Sequence, residues 1–139
     1  MFLKDSIIES LAVDAEIRNE QIINVIGIYK PPSANVSEFN NMLETLFIGL
    51  KMKSRSSIVA GDFNICLFKQ NSDPSVMSFF NLMASFCLIP LINLPTREDY
   101  NCSSLIDNIW TNITSKSFSG VLNSCITDHY PIFSVFENF

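Results

Sequence analysis

The chain is expected to fold as an α/β layered structure on a mixed sheet, and three features of the sequence carry that expectation. Two loosely alternating runs, 9–17 and 21–29, the second with β-branched residues, flank a polar break at Arg18-Asn19-Glu20. From Val36 to Lys51, apolar residues recur at spacings of three and four. The later part of the chain holds several short apolar runs separated by turn formers. Strand, helix, strand, helix and then a run of strands is the element order of a layered α/β domain.

The first two runs alternate apolar and polar side chains and read as an antiparallel hairpin. Lys30-Pro31-Pro32-Ser33 stops the second strand, because consecutive prolines cannot continue a hydrogen-bonded ladder. Phe39, Met42, Leu43, Leu46, Phe47 and Leu50 then mark one buried face of a helix over about 36–51. Ser57 to Ala60 is too apolar to be half exposed and reads as a central strand. Asp73-Pro74 supplies an N-cap and a first-turn proline for a second helix over 74–87, with Phe79, Phe80, Leu82, Met83 and Phe86 on its apolar face. Short strands are expected at 88–94, 105–110, weakly at 117–123, and at 132–136, with a polar turn after Pro95-Thr96-Arg97.

At 139 residues, with 47% hydrophobic and 17% charged residues, the chain has one domain's length and can bury a core. Its mean hydropathy of +0.25 argues against disorder. No apolar stretch approaches the roughly 20 residues that cross a bilayer, and the first ten residues lack a secretory apolar region. An intracellular setting is expected, with no membrane partner. Cys66, Cys87, Cys102 and Cys125 are widely spaced, and with a single histidine they do not form a zinc pattern; reduced, mostly buried thiols are expected. The net charge of −5 gives no global attraction to nucleic acid. The one basic cluster, Lys51, Lys53 and Arg55, reads as a solvated helix-to-strand connection.

The most informative stretch is Ile58-Val59-Ala60-Gly61-Asp62-Phe63-Asn64. An apolar run ends in glycine, and Asp62 and Asn64 follow at alternate positions. On extended backbone both would project to one side at the mouth of a buried strand, with Phe63 turned into the core. A carboxylate that takes a proton from water, beside an amide that orients it, is a hydrolytic pair. An Asx-rich turn closing a strand is the competing reading. Asp107 sits in an otherwise apolar run, where an unpaired carboxylate is costly to bury; it faces either a partner or the open edge of a sheet. Thr127-Asp128-His129-Tyr130-Pro131 holds the only histidine, and its adjacent Asp and His offer a metal-ligating oxygen and an imidazole for phosphate or proton; a structural histidine is the alternative. Tyr29 ends a strand before Lys30-Pro31-Pro32, either as a site residue or as an aromatic packed at the strand end.

Taken in order, Tyr29, Gly61-Asp62-Phe63-Asn64, Ser104-Leu105-Ile106-Asp107 and Asp128-His129 resemble the endonuclease/exonuclease/phosphatase superfamily of DNase I and the apurinic/apyrimidinic endonucleases. Within it, the chain is most similar to the endonuclease domain of jockey-like non-LTR retrotransposons. Gly27-Ile28-Tyr29-Lys30-Pro31-Pro32-Ser33 is similar to their Tyr-Arg-Pro-Pro segment, and Leu94-Pro95-Thr96-Arg97 followed by Ser103-Ser104-Leu105-Ile106-Asp107 to their Pro-Thr-Arg and Ile-Asp segments. The resemblance implies a partial DNase I-like four-layered α/β sandwich with mixed, largely antiparallel sheets. It also implies Mg²⁺- or Mn²⁺-dependent phosphodiester hydrolysis of DNA, hence a nuclear setting, in a domain normally fused to a reverse transcriptase. It would make Asp62 the group that positions or deprotonates water, with Asn64 orienting that water or contacting the phosphate. His129 would bind the phosphate with Asp107 orienting its ring, and Asp128 would lie at the metal. Tyr29 would hydrogen-bond the phosphate or leaving oxygen, and Thr96 and Arg97 would lie near the substrate.

The resemblance places residues 1–139 as the C-terminal portion of a single such domain, without the segment that carries the family's Asn and its metal-binding Glu. Glu9 falls in a structural strand and is not a replacement. The expectation is weak metal binding and impaired activity, and one face of the remaining sheet left apolar and uncovered. Two alternatives keep the same fold: a phosphatase or lipid phosphodiesterase, and an inactive remnant or interaction module.

Overall fold

The computed structural model describes residues 1–4, 6–17, 20–124 and 127–137. Three strands open the chain: β1 (Phe2–Lys4), β2 (Glu9–Glu16) and β3 (Ile22–Tyr29). β2 and β3 form the expected hairpin in full register, from Glu9 opposite Tyr29 to Glu16 opposite Ile22. Arg18 and Asn19 of its turn lie outside the described residues, as does Cys125. After the two prolines, α1 (Val36–Gly49) begins at Asn35, whose side chain accepts from the amides of Ser37 and Glu38. The helix is a crossover, and β4 (Ser57–Asp62) returns parallel to β3. α2 (Pro74–Ser85) starts at Asp73, whose carboxylate caps the Ser75 amide.

Beyond α2 the strands are shorter than the apolar runs suggest. β5 (Ile89–Pro90) has two residues, because the buried Asn108 side chain bonds both the N–H and the C=O of Ile92 and takes that residue out of a ladder. An unforeseen hairpin, β6 (Arg97–Asp99) with β7 (Cys102–Ser104), occupies the expected polar turn. β8 (Asp107–Thr111) begins two residues later than expected, so Asp107 opens that strand rather than lying within it. β9 (Ser117–Val121) and β10 (Ile132–Phe136) close the chain as an antiparallel pair.

The main sheet runs β1-β2-β3-β4-β8-β5, antiparallel except where β3 meets β4. One face packs on both helices. Ile26, Val59 and Trp110 stand in one row across β3, β4 and β8. They meet Phe39, Leu43 and Phe47 of α1, and Phe79 and Met83 of α2. Trp110 is fully buried, with Phe79 and Phe80 edge-on to it at 5.6 and 5.3 Å. A truncation there would cost about 3–5 kcal/mol. On the opposite face β10 lies by β8, near Ile109, whereas Leu11 and Val13 of β2 stand 53% and 48% exposed. Gly61 has no room for a side chain: a Cβ there would collide with the backbone carbonyl of Ile28 on β3.

The cysteines differ from expectation. Cys66 is half-buried, and Cys87 and Cys102 are exposed free thiols, one in a left-handed turn after α2 and the other on the β6–β7 hairpin. Among the described residues no helix is long and apolar enough to cross a membrane.

Candidate functional site

Register builds the site. Glu9, Tyr29, Asp62 and Asp107 are consecutive cross-strand partners on β2, β3, β4 and β8, so one row of the open face carries all four. Asp62 ends β4 half-buried and accepts the Asn64 amide at 2.9 Å. Burial pushes its carboxyl above the usual range, and the negative charge of Asp107 adds to this; the Asn64 amide, His129 and Arg97 oppose it.

Asn64 does not continue the alternation expected of a strand. Its φ of 47° lies in the left-handed region, and its side-chain amide donates to the Lys30 carbonyl at 2.8 Å. β4 has already ended at Asp62, and the chain curls so that Asn64 latches onto the end of β3. Phe63 is buried as expected.

His129 comes from the loop between β9 and β10. Its Nδ1 lies 3.0 and 3.2 Å from the two carboxylate oxygens of Asp107. A carboxylate only accepts, so Nδ1 carries the hydrogen and Nε2 is left for other chemistry. Asp62, Asp107 and His129 each offer a ligand atom within 4.8 Å of the others, and all three are half-buried. Two carboxylates and an imidazole fit a divalent cation, whose charge would offset the burial of the Asp62 carboxylate and the smaller repulsion from Asp107. An open cleft of about 390 Å³, lined by Asp62, Asp107, Ile109 and Tyr130 among others, gives access.

Asp128 is not in that cluster. Its carboxylate accepts from Arg97 Nε at 2.8 Å, and this bond holds its carboxyl below the usual range. Thr96 is fully buried, and its hydroxyl accepts from the amides of Ile106 and Asp107 at 3.2 and 3.1 Å. Its hydroxyl therefore frames the start of β8 from the core. Arg97 and Tyr29 are accessible, Tyr29 at 41% exposure on the same face as Asp62.

Lys30 was not foreseen as part of the site. It is 1% exposed, and its ammonium donates to the Pro31 carbonyl at 3.1 Å. Its backbone N–H donates to Asp62 and its carbonyl accepts from Asn64, so it clamps both residues. Burial lowers its pKa, opposed by the charge of Asp62. The signal in the sequence is alternation: if Tyr29 faces the site, Lys30 must turn toward the core. The Lys51–Arg55 cluster lies at the opposite end of β4, where Arg55 pairs with Asp14 at 3.1 Å and Lys53 stands over Phe86.

A family model described as Endonuclease-reverse transcriptase matches residues 23–133. Among solved structures, the chain is similar to the endonuclease domain of TRAS1, a telomere-specific non-LTR retrotransposon. The TM-score is 0.77 at 14% identity, over 93% of this chain and 64% of that one. It is also similar to an endonuclease/exonuclease/phosphatase family protein from Leptotrichia buccalis, with TM-score 0.70, 16% identity and coverage of 94% and 53%. A 3′-5′ exonuclease from Neisseria meningitidis gives TM-score 0.67 at 16% identity, over 91% and 64%. At such identities the likeness shows the fold, which is the mixed α/β fold of DNase I-like proteins. The chain spans 53–64% of the length of these three structures. No protein of curated function matches the sequence.

Proposed function

We propose that this chain, which belongs to the endonuclease-reverse transcriptase family, is built for metal-dependent hydrolysis of phosphodiester bonds in DNA. The observation that carries this reading is the convergence of Asp62, Asp107 and His129 from three elements distant in sequence, with both carboxylates lining an open cleft. The similar structures include the endonuclease domain of a telomere-specific retrotransposon and a 3′ phosphatase from Neisseria bound to a product DNA hairpin, which favours DNA as the substrate and, from the first, a nuclear setting.

The geometry supports a role for each residue. Asp62, whose raised pKa makes it a better base, takes a proton from the attacking water. The water oxygen bonds to phosphorus as the ester P–O bond breaks on the far side, and the departing oxygen leaves with a proton. His129, oriented by Asp107, presents Nε2 to the phosphate. Tyr29 lies in the same row, where its hydroxyl would hydrogen-bond the phosphate or the leaving oxygen. The engaged amide of Asn64 fits a role in fixing Asp62, through its own N–H and the Lys30 carbonyl, more than a direct hold on water. Mg²⁺ or Mn²⁺ held at the Asp62 and Asp107 carboxylates would neutralise charge on the phosphate, and so few protein ligands would hold Mg²⁺ weakly, an ion that keeps several waters.

Plasmid nicking by the purified chain with Mg²⁺ or Mn²⁺ tests the reading, beside His129→Ala and an EDTA control. Nicking that vanishes in both controls supports it. A folded chain that never nicks sinks it, in favour of an inactive module of the same fold.

A further inference from the structure

The β9–β10 pair holds the loop that carries His129 between its strands, and its two faces are unequal. Val121 and Ile132 pack toward the core, and they share that inner face with Ser117, Ser119 and Ser134. The Ser119 and Ser134 hydroxyls bond to each other there at 2.8 Å. The outer face carries neither hydroxyl nor charge: Phe118 stands opposite Val135, and Gly120 opposite Phe133. Leu122 extends it, because its N–H donates to the Pro131 carbonyl one step beyond the strands. A pair of strands lying on a core ordinarily keeps apolar side chains in and polar ones out. Here the order is reversed, with Phe118, Leu122 and Val135 exposed at 69%, 53% and 56%.

The patch is flat and nearly free of charge. The Phe133 ring lies across Gly120, where a Cβ would come within 3.2 Å of it, and it meets Phe118 at 5.7 Å. Residues 113–124 and 130–137 carry only two charges, Lys116 and Glu137, in a chain of net charge −5. Those two sit at one end of the strand pair, 3.4 Å apart and both exposed. Two copies meeting by this face therefore bring together a net charge of zero.

The register also makes the face complementary to itself. A two-fold axis along the strands lays β9 of each copy over β10 of the other and keeps the charged ends together. Phe118 then faces Val135 of the second copy, Gly120 faces its Phe133, and Lys116 faces its Glu137. A ring meets a glycine, and each charge meets its opposite.

We propose that the outer face of β9 and β10 is where two copies of this chain associate, as a two-fold dimer with Lys116 and Glu137 paired crosswise. The exposed patch is on the order of a few hundred Å², at the small end of specific interfaces, so the dimer is weak and reversible.

Sedimentation velocity of the full chain over a concentration series tests this, with far-ultraviolet circular dichroism to show that each variant is folded. Wild type is expected to pass from monomer to dimer in the high micromolar range. Phe118→Ser with Val135→Thr, both at exposed positions, is expected to weaken the dimer about tenfold or more. Lys116→Glu and Glu137→Lys are each expected to sediment as monomers alone. An equimolar mixture of the two restores the dimer, because each variant then meets only opposite charge on the other. Loss of the ion pair within one copy is not repaired by mixing, so recovery separates the interface from a structural effect. A wild type that stays monomeric at every concentration overturns the proposal and leaves this face to a different partner. A dimer that survives Phe118→Ser with Val135→Thr overturns the assignment to this face and points to the face of Leu11 and Val13. Charge reversals that weaken the dimer without recovery on mixing overturn the crosswise two-fold arrangement.

Discussion

His129 Nδ1 lies 3.0 Å from Asp107 Oδ2, joining a loop near the C-terminus to the first residue of β8. The bond fixes the ring's plane and its tautomer together, because only Nδ1–H can meet a carboxylate. Asp107 is held in turn by its N–H to the buried Thr96 hydroxyl. Asp107→Asn keeps the shape but offers an amide that can donate, which allows the other tautomer. Nicking activity is expected to fall on the order of 10²-fold with the far-ultraviolet circular dichroism unchanged. Activity within twofold of wild type would show that the ring needs no orienting.

Asp62 carries a sign-specific stability signature. Its folded-state pKa is raised, chiefly by burial, so the folded chain holds this proton more tightly than the unfolded one. The contribution of Asp62 to stability is therefore most favourable below the unfolded value near 3.8 and is lost as pH rises through the higher folded value. Asp62→Asn should be more stable than wild type at pH 7, lose that advantage on acidification, and show no nicking. Urea midpoints at pH 7 and pH 3.5 check this; an Asn variant less stable at pH 7 contradicts the direction.

Gly61 is the position least tolerant of change near the site. A methyl group there meets the Ile28 backbone carbonyl, and backbone in mid-sheet cannot yield as a flexible side chain can. Gly61→Ala is expected to cost about 1–3 kcal/mol or more by overpacking, and to displace Asp62. Thermal unfolding measures the cost, and a variant with wild-type Tm and activity would show that the two strands can part.

The open face of the sheet carries a different expectation. Leu11 and Val13 stand about half exposed on a face whose neighbours Val25, Ile58 and Ala60 are only partly covered. The isolated chain should bind an apolar dye such as anilinonaphthalene sulfonate, and Leu11→Ser with Val13→Thr should reduce that binding by about half. A monomer with no dye signal, in the wild type as in the variant, would show that this face is covered in solution.

Much of this architecture was legible because it is local. The spacing of Phe39, Leu43, Leu46 and Phe47 specifies α1, Asp73-Pro74 starts α2, and the prolines after Lys30 end β3 within a residue of where they should. The helix ends were read one turn or less too long, at Lys51 and Cys87, because both residues adopt positive φ, which apolar spacing does not reveal. The β6–β7 hairpin escaped notice for a similar reason. Arg-Glu-Asp and Cys-Ser-Ser have weak strand character, and their pairing is upheld by Thr96, Arg97 and Glu98 bonding to residues some thirty positions away.

By itself, the sequence determined the order of the two helices and the longer strands, the central strand ending at Gly61-Asp62, and the residue types capable of phosphodiester chemistry. Only the tertiary structure decided which of them meet. Asp62 and Asp107 become neighbours through the antiparallel register of β4 and β8, and His129 turns to Asp107 while its neighbour Asp128 turns to Arg97. Asn64 leaves the strand's alternation to hold Lys30. These partners are set by pairing across many intervening residues. One position of slip would turn every side chain to the other face, and nothing in a local stretch records that choice.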